Sequence, residues 1–88
     1  MKLTVEQIKD YFKYNRYGEC VTIFCREHRG HDKIYIRMFG YAWTLDSIDE
    51  RCNRAEFYNK ELNAVLVGNL NPFREDRVTI LYMKFLKE

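Results

Sequence analysis

Proline occurs once and glycine four times among 88 residues, so the chain holds no collagen-like or linker-like stretch. Cysteine is sparse and odd in number: Cys20, Cys25 and Cys52 cannot form a disulfide framework, and three reduced thiols acting as small hydrophobes are expected. Serine occurs only as Ser47, and no nucleophile elbow, phosphate-cradling glycine loop or metalloprotease helix motif is present. No run approaches the roughly 18 apolar residues of a membrane span, and no apolar segment of signal-peptide length follows Lys2. Membrane contact and export are therefore not expected, and the cytoplasm is the expected compartment. An excess of one charge is missing too. Fifteen basic residues face 13 acidic ones, a net charge of +2, so no polyanion-binding tail is implied.

What is abundant is apolar and aromatic material. Hydrophobic residues make up 47% and charged residues 32%, which excludes a disordered chain and fits one domain over residues 1–88. Seven tyrosines and six phenylalanines outnumber the alanines Ala42, Ala55 and Ala64. That bias follows AT-rich coding, which is common in phage and other mobile elements.

The local pattern reads as α-β-β-α-β-β. Thr4 and Gln7 form a capping box, and Val5, Ile8, Tyr11 and Phe12 line one stripe of a first helix. Gly18, after Asn15-Arg16-Tyr17, supplies a left-handed stop. Val21, Ile23 and Cys25 alternate with Thr22, Phe24 and Arg26, and Arg29-Gly30 turns the chain into a second strand from Ile34 that extends to Tyr41 and Trp43. Leu45, Ile48, Cys52 and Ala55 then form a thin stripe for a second helix capped at Thr44 or Asp46, with an extended Glu56-Phe57-Tyr58 as the competing reading. Strands over 64–70 and 77–86 follow, joined at Asn71-Pro72. The expected fold is α+β: a four-stranded, mainly antiparallel sheet with two helices packed on one face. Residues 4–10 resemble 44–50 and residues 32–36 resemble 76–80, so an internal duplication over 4–43 and 44–86 is one reading. Shared capping and alternation rules are the other.

Such a sheet would be apolar on both sides. With Val21, Ile23, Ile34, Ile36, Val65, Val67, Val78 and Ile80 against the helices, the opposite face carries Phe24, Tyr35, Phe39, Tyr41, Leu66, Leu81, Met83 and Phe85, with Arg26 and Arg37 among them. A bare face of that kind calls for a cover, either a second copy of the chain, a foreign protein, single-stranded nucleic acid or the chain's own segments. Phe73 and Arg74, beside Pro72 in a polar loop, are further partner-binding candidates. The expectation is a non-enzymatic protein–protein interaction module, homodimeric, of the phage-type inhibitor or regulator kind. The alternative is a nucleic-acid-binding module using Tyr35, Arg37, Phe39, Tyr41 and the basic tip from Arg26 to Lys33.

Other chemistry is weaker. Cys20, Cys25, His28 and His31 are spaced superficially like zinc ligands, but an odd separation sends Cys20 and Cys25 to opposite faces of a strand. Cys25 with His28 or His31 and Asp32 is the sole catalytic constellation to weigh, and a chain this short has little mass for a cavity of a few hundred Å³. Neither catalysis nor a metal or other cofactor is expected.

Overall fold

The computed structural model describes residues 2–14 and 18–86. It comprises α1 (Val5–Tyr14), β1 (Glu19–His28), β2 (His31–Met38), β3 (Tyr41–Asp49), β4 (Arg54–Asn59), β5 (Ala64–Leu70) and β6 (Arg77–Phe85). Each strand pairs antiparallel with the next, and β1 closes on β6, giving a six-stranded up-and-down barrel. The α+β expectation is overturned: there is one helix, and the sheet has six strands and no free edge among the described residues.

Turn chemistry explains the difference. Arg29 and Gly30 both have positive φ (51° and 81°), as a two-residue hairpin loop demands. Phe39 and Gly40 do the same (60° and 84°), so the strand expected to run on through Trp43 folds back into β3. Glycine makes the second position of that loop easy; a phenylalanine at the first is unusual and disguises it. Asn53 and Asn63 hold the left-handed positions of the next two turns.

The second helix is absent because a β-bulge imitates helical spacing. In β3 the register shifts between Leu45 and Ser47, so Leu45 and Ile48 both face inward, three residues apart. In β4 burial alternates strictly, with Ala55, Phe57 and Asn59 buried. Glu56-Phe57-Tyr58 is thus extended, and the segments matched in sequence, 4–10 and 44–50, differ in structure.

The barrel interior is filled by Trp43, Phe57, Ile36, Leu66, Val78 and Ile80, all essentially inaccessible. The Trp43 indole N–H donates to the Met38 carbonyl at 3.0 Å, satisfying its one buried polar group. Helix α1 closes one end. Its capping box forms as expected, Gln7 N–H donating to Thr4 Oγ1 at 3.2 Å and Thr4 N–H to Gln7 Oε1 at 2.8 Å. Ile8 is fully buried, and Tyr11 and Phe12 pack edge-on to Phe39 with centroids 5.1 and 5.6 Å away. Leu3 anchors the segment, its N–H donating to the Phe39 carbonyl (3.0 Å) and its carbonyl accepting from the Tyr41 hydroxyl (2.8 Å).

The helix stop at Asn15-Arg16-Tyr17 lies outside the described residues. Gly18 begins the next described segment. Its role is close approach: a Cβ there would lie 2.5 Å from Thr79 Cγ2 and 2.7 Å from the Ile80 carbonyl oxygen.

Closure also removes the two-sided apolar sheet. Leu66 turns inward opposite Phe57 and Met83, whereas Val65 and Val67 turn outward. The bulge opposite Val67 and Gly68 sets Leu81 out of register. Among the described residues no helix is long and apolar enough to cross a membrane.

Candidate functional site

Cross-strand pairing assigns each residue of the β1–β2 hairpin to a face. Ile23↔Ile36 and Cys25↔Ile34 face the interior, so Phe24↔Tyr35 and Arg26↔Lys33 face outward. The Phe24 and Tyr35 rings stack, with centroids 5.5 Å apart and planes 23° from parallel. Phe24 remains exposed and Tyr35 half-buried. Arg37 follows Tyr35 on the same face, opposite Ala42 of β3, and Tyr35 stands opposite Thr44. The ring pair is therefore flanked along the strands by Arg26 and Lys33 on one side and Arg37 on the other.

No ion pair neutralises these three cations among the described residues. Arg26 and Lys33 are also direct cross-strand neighbours, an arrangement of like charges that costs stability. Shallow depressions run beside them. One is lined by Arg26, Arg29, His31 and Lys33, the next by Arg26, Lys33, Tyr35, Arg37 and Ala42, and a third by Arg37, Gly40, Tyr41 and Ala42. Shared residues join them into one basic track from the hairpin tip to the β2–β3 turn.

The sequence-derived candidates separate into groups. Phe24, Arg26, Tyr35 and Arg37 come together here, and Lys33 completes them. Phe39 does not join them, because it seats α1, and Tyr41 borders only the last depression while its hydroxyl holds the Leu3 carbonyl. Met83 is half-buried against the core, Leu81 lies at the bulge, and Phe85 sits beneath Lys9 Nζ, 5.1 Å from its ring centroid. Phe73 is 92% exposed in the β5–β6 loop, and Arg74 pairs there with Asp76 at 3.7 Å. The eleven candidates thus form no single surface, and the sheet face expected to bury a dimer mate is not present.

The two cysteines of β1 do not converge. Cys20 lies opposite Thr79 on the outer face and Cys25 opposite Ile34 on the inner. No group of three or more potential metal ligands occurs among the described residues.

Among the described residues the lid carries a strongly displaced acidity. Burial, then the hydrogen bond from its hydroxyl to Glu19 (2.6 Å) and the adjacent negative charge, push Tyr11 up to about 12. On the far wall, hydrogen bonds from the Lys84 ammonium and the Ser47 hydroxyl hold the Glu56 carboxyl below its ordinary value against the opposing effect of burial.

One expectation about space is corrected. At the end opposite α1 the barrel opens into an apolar recess of about 320 Å³, lined by residues that include Ile23, Ile34, Leu45 and Phe57. It exists because the interior residues there are small or aliphatic while Trp43 and Phe57 fill the deeper layers.

Compared with known protein families, characterised proteins and solved structures, the chain shows no match.

Proposed function

We propose that this protein binds single-stranded nucleic acid along the outer face of β1, β2 and β3. The observation that carries this reading is the stacked Phe24–Tyr35 pair set between Arg26, Lys33 and Arg37, cations without an acidic partner among the described residues. Bases stack on aromatic faces without regard to sequence, and arginine and lysine follow the phosphates. An eight-residue β2 offers a track of roughly 26 Å at about 3.3 Å per residue. The overall charge of +2 does not oppose this, because Glu27 and Asp32 of the same hairpin alternate onto the opposite face from Arg26 and Lys33. Arg26 and Lys33 repel each other until an anion lies between them, so bound phosphate relieves a cost already present in the free protein.

Fluorescence anisotropy with a labelled 12-mer of deoxythymidine at low salt tests the reading. Saturable binding is expected, weakened roughly 5- to 150-fold by Tyr35→Ala through lost stacking of about 1–3 kcal/mol. Absence of binding, or full affinity in Tyr35→Ala, contradicts it. A second reading rests on Phe73, a nearly bare aromatic that fits a protein partner better than a solvated turn. Under that reading Phe73→Ala abolishes a protein contact and leaves oligonucleotide affinity unchanged.

A further inference from the structure

The open end of the barrel is concave, and the charged side chains that line it are carboxylates. Its recess of about 320 Å³ is walled by aliphatic and aromatic side chains, with Cys25 at the edge and Glu75 and Asp76 of the β5–β6 loop at the mouth. One rung above Cys25 and Ile34, Glu27 and Asp32 stand directly opposite each other on the same inward-turned face. Two carboxylates so placed repel, and neither has a cationic partner among the described residues. Of the two acids that line the recess, Asp76 is paired to the exposed Arg74 and Glu75 has no ion-pair partner among the described residues.

From this juxtaposition we infer that the barrel mouth is a binding site for a small apolar organic amine. Its hydrocarbon part enters between Ile23, Ile34, Leu45 and Phe57, and its ammonium stays at the rim among Glu27, Asp32 and Glu75. The volume lies at the lower end of the range for small-molecule pockets, which excludes long lipid chains and selects a compact aryl-alkyl or branched alkyl group. Apolar walls supply affinity by releasing water, and the ring of acids selects the sign of the headgroup. An anionic or neutral molecule of the same shape gains only the first contribution. The site shares no side chain with the nucleic-acid track, so each stands or falls separately.

The inference is tested on the whole protein carrying Cys20→Ser and Cys52→Ser, so that Cys25 is the only thiol. 4-Phenylbutylamine is titrated by calorimetry beside its isosteres 4-phenylbutanol and 4-phenylbutyrate. Labelling of Cys25 by a maleimide is followed in the same samples. The amine is expected to bind tightest and to slow Cys25 labelling, with the alcohol weaker and the carboxylate weakest. Asp32→Asn and Glu75→Gln, both at exposed positions, should each weaken the amine roughly 2- to 5-fold and leave the alcohol unchanged. Thermal melts of these variants confirm an intact fold. Equal binding of amine and carboxylate, or no protection of Cys25 at millimolar amine, overturns the inference.

Discussion

Two stretches of the barrel wall obey the same alternation and end differently. On β5 the outward Val65 and Val67 are buried to within 3% of complete inaccessibility. Their neighbours are Glu56 and Tyr58 on β4 and Tyr82 and Lys84 on β6, and the Glu56–Lys84 ion pair at 2.8 Å spans the strand between. Aliphatic stems and rings lie on the valines while the charges cancel above them. On β1 and β2, two and three strands around the ring, the same outward positions hold Phe24, Tyr35, Arg26, Lys33 and Arg37, with like charges opposed and a ring left exposed. One wall satisfies itself. The other has the composition of the first without its acid, and the missing component is what a partner would bring.

Removing the apolar layer of the self-sufficient wall should have the largest effect on stability. Val67→Ala is expected to cost about 2 kcal/mol, since the side chain is almost wholly inaccessible, lowering the melting temperature by roughly 10 °C. Phe24→Ala on the open wall should cost only about 1 kcal/mol, the value of its stacking on Tyr35. Equal losses in the two variants would erase the contrast between the walls.

The lid gives an intermediate effect. Tyr11→Phe removes the hydroxyl bonded to Glu19 and is expected to cost about 1 kcal/mol near neutral pH. Because the Tyr11 pKa is raised, its contribution is complete below the ordinary value of 10.0 and fades as pH rises from there to about 12. Urea melts of both proteins at rising pH should therefore converge above pH 10.

Smaller still, Lys33→Ala should leave stability unchanged or raise it by roughly 0.2–0.5 kcal/mol, because it relieves the repulsion with Arg26. Chemical denaturation at low and high salt reads this directly: the variant's advantage should shrink as salt screens the pair. A loss of stability instead would mean that Lys33 has a role in the free fold.

The Glu56–Lys84 bridge should give the smallest signal, and it sharpens the comparison through its pH dependence. Glu56 is lowered, so its contribution is present above the ordinary carboxylate range and disappears as pH falls through the depressed value. Lys84 is raised by Glu56, so its contribution is present below the ordinary lysine range and disappears as pH rises through the elevated value. The difference in melting temperature between Glu56→Gln and the parent should vanish at both extremes.

Local chemistry was readable wherever one residue type has one structural use. Thr4 and Gln7 announced the capping box, and Arg29-Gly30 announced the first turn. The closed topology was hidden by residues that break those rules. Phe39 occupies a left-handed position that favours asparagine or glycine, so a hairpin was read as one strand. The bulge between Leu45 and Ser47 placed Leu45 and Ile48 on one face at helical spacing, which produced a helix on paper. Asn53 and Asn63 were the overlooked markers of the remaining turns. At the surface, the association of Phe24, Arg26, Tyr35 and Arg37 was legible because one period-two pattern governs both strands. Phe39 and Tyr41 were misplaced with the turn that carries them. Like-charge opposition of Arg26 with Lys33, and of Glu27 with Asp32, needed the hairpin register, which the two-residue loop sets and alternation alone does not.

The most direct test of the central claim is the salt dependence of oligonucleotide binding, measured for the parent and for Arg37→Ala. If Arg26, Lys33 and Arg37 each neutralise a phosphate, the slope of log affinity against log salt should be about −2 for a single strand, and Arg37→Ala should flatten it by roughly 0.7. A slope near zero, or one that Arg37→Ala leaves unchanged, would contradict a nucleic-acid track on this wall.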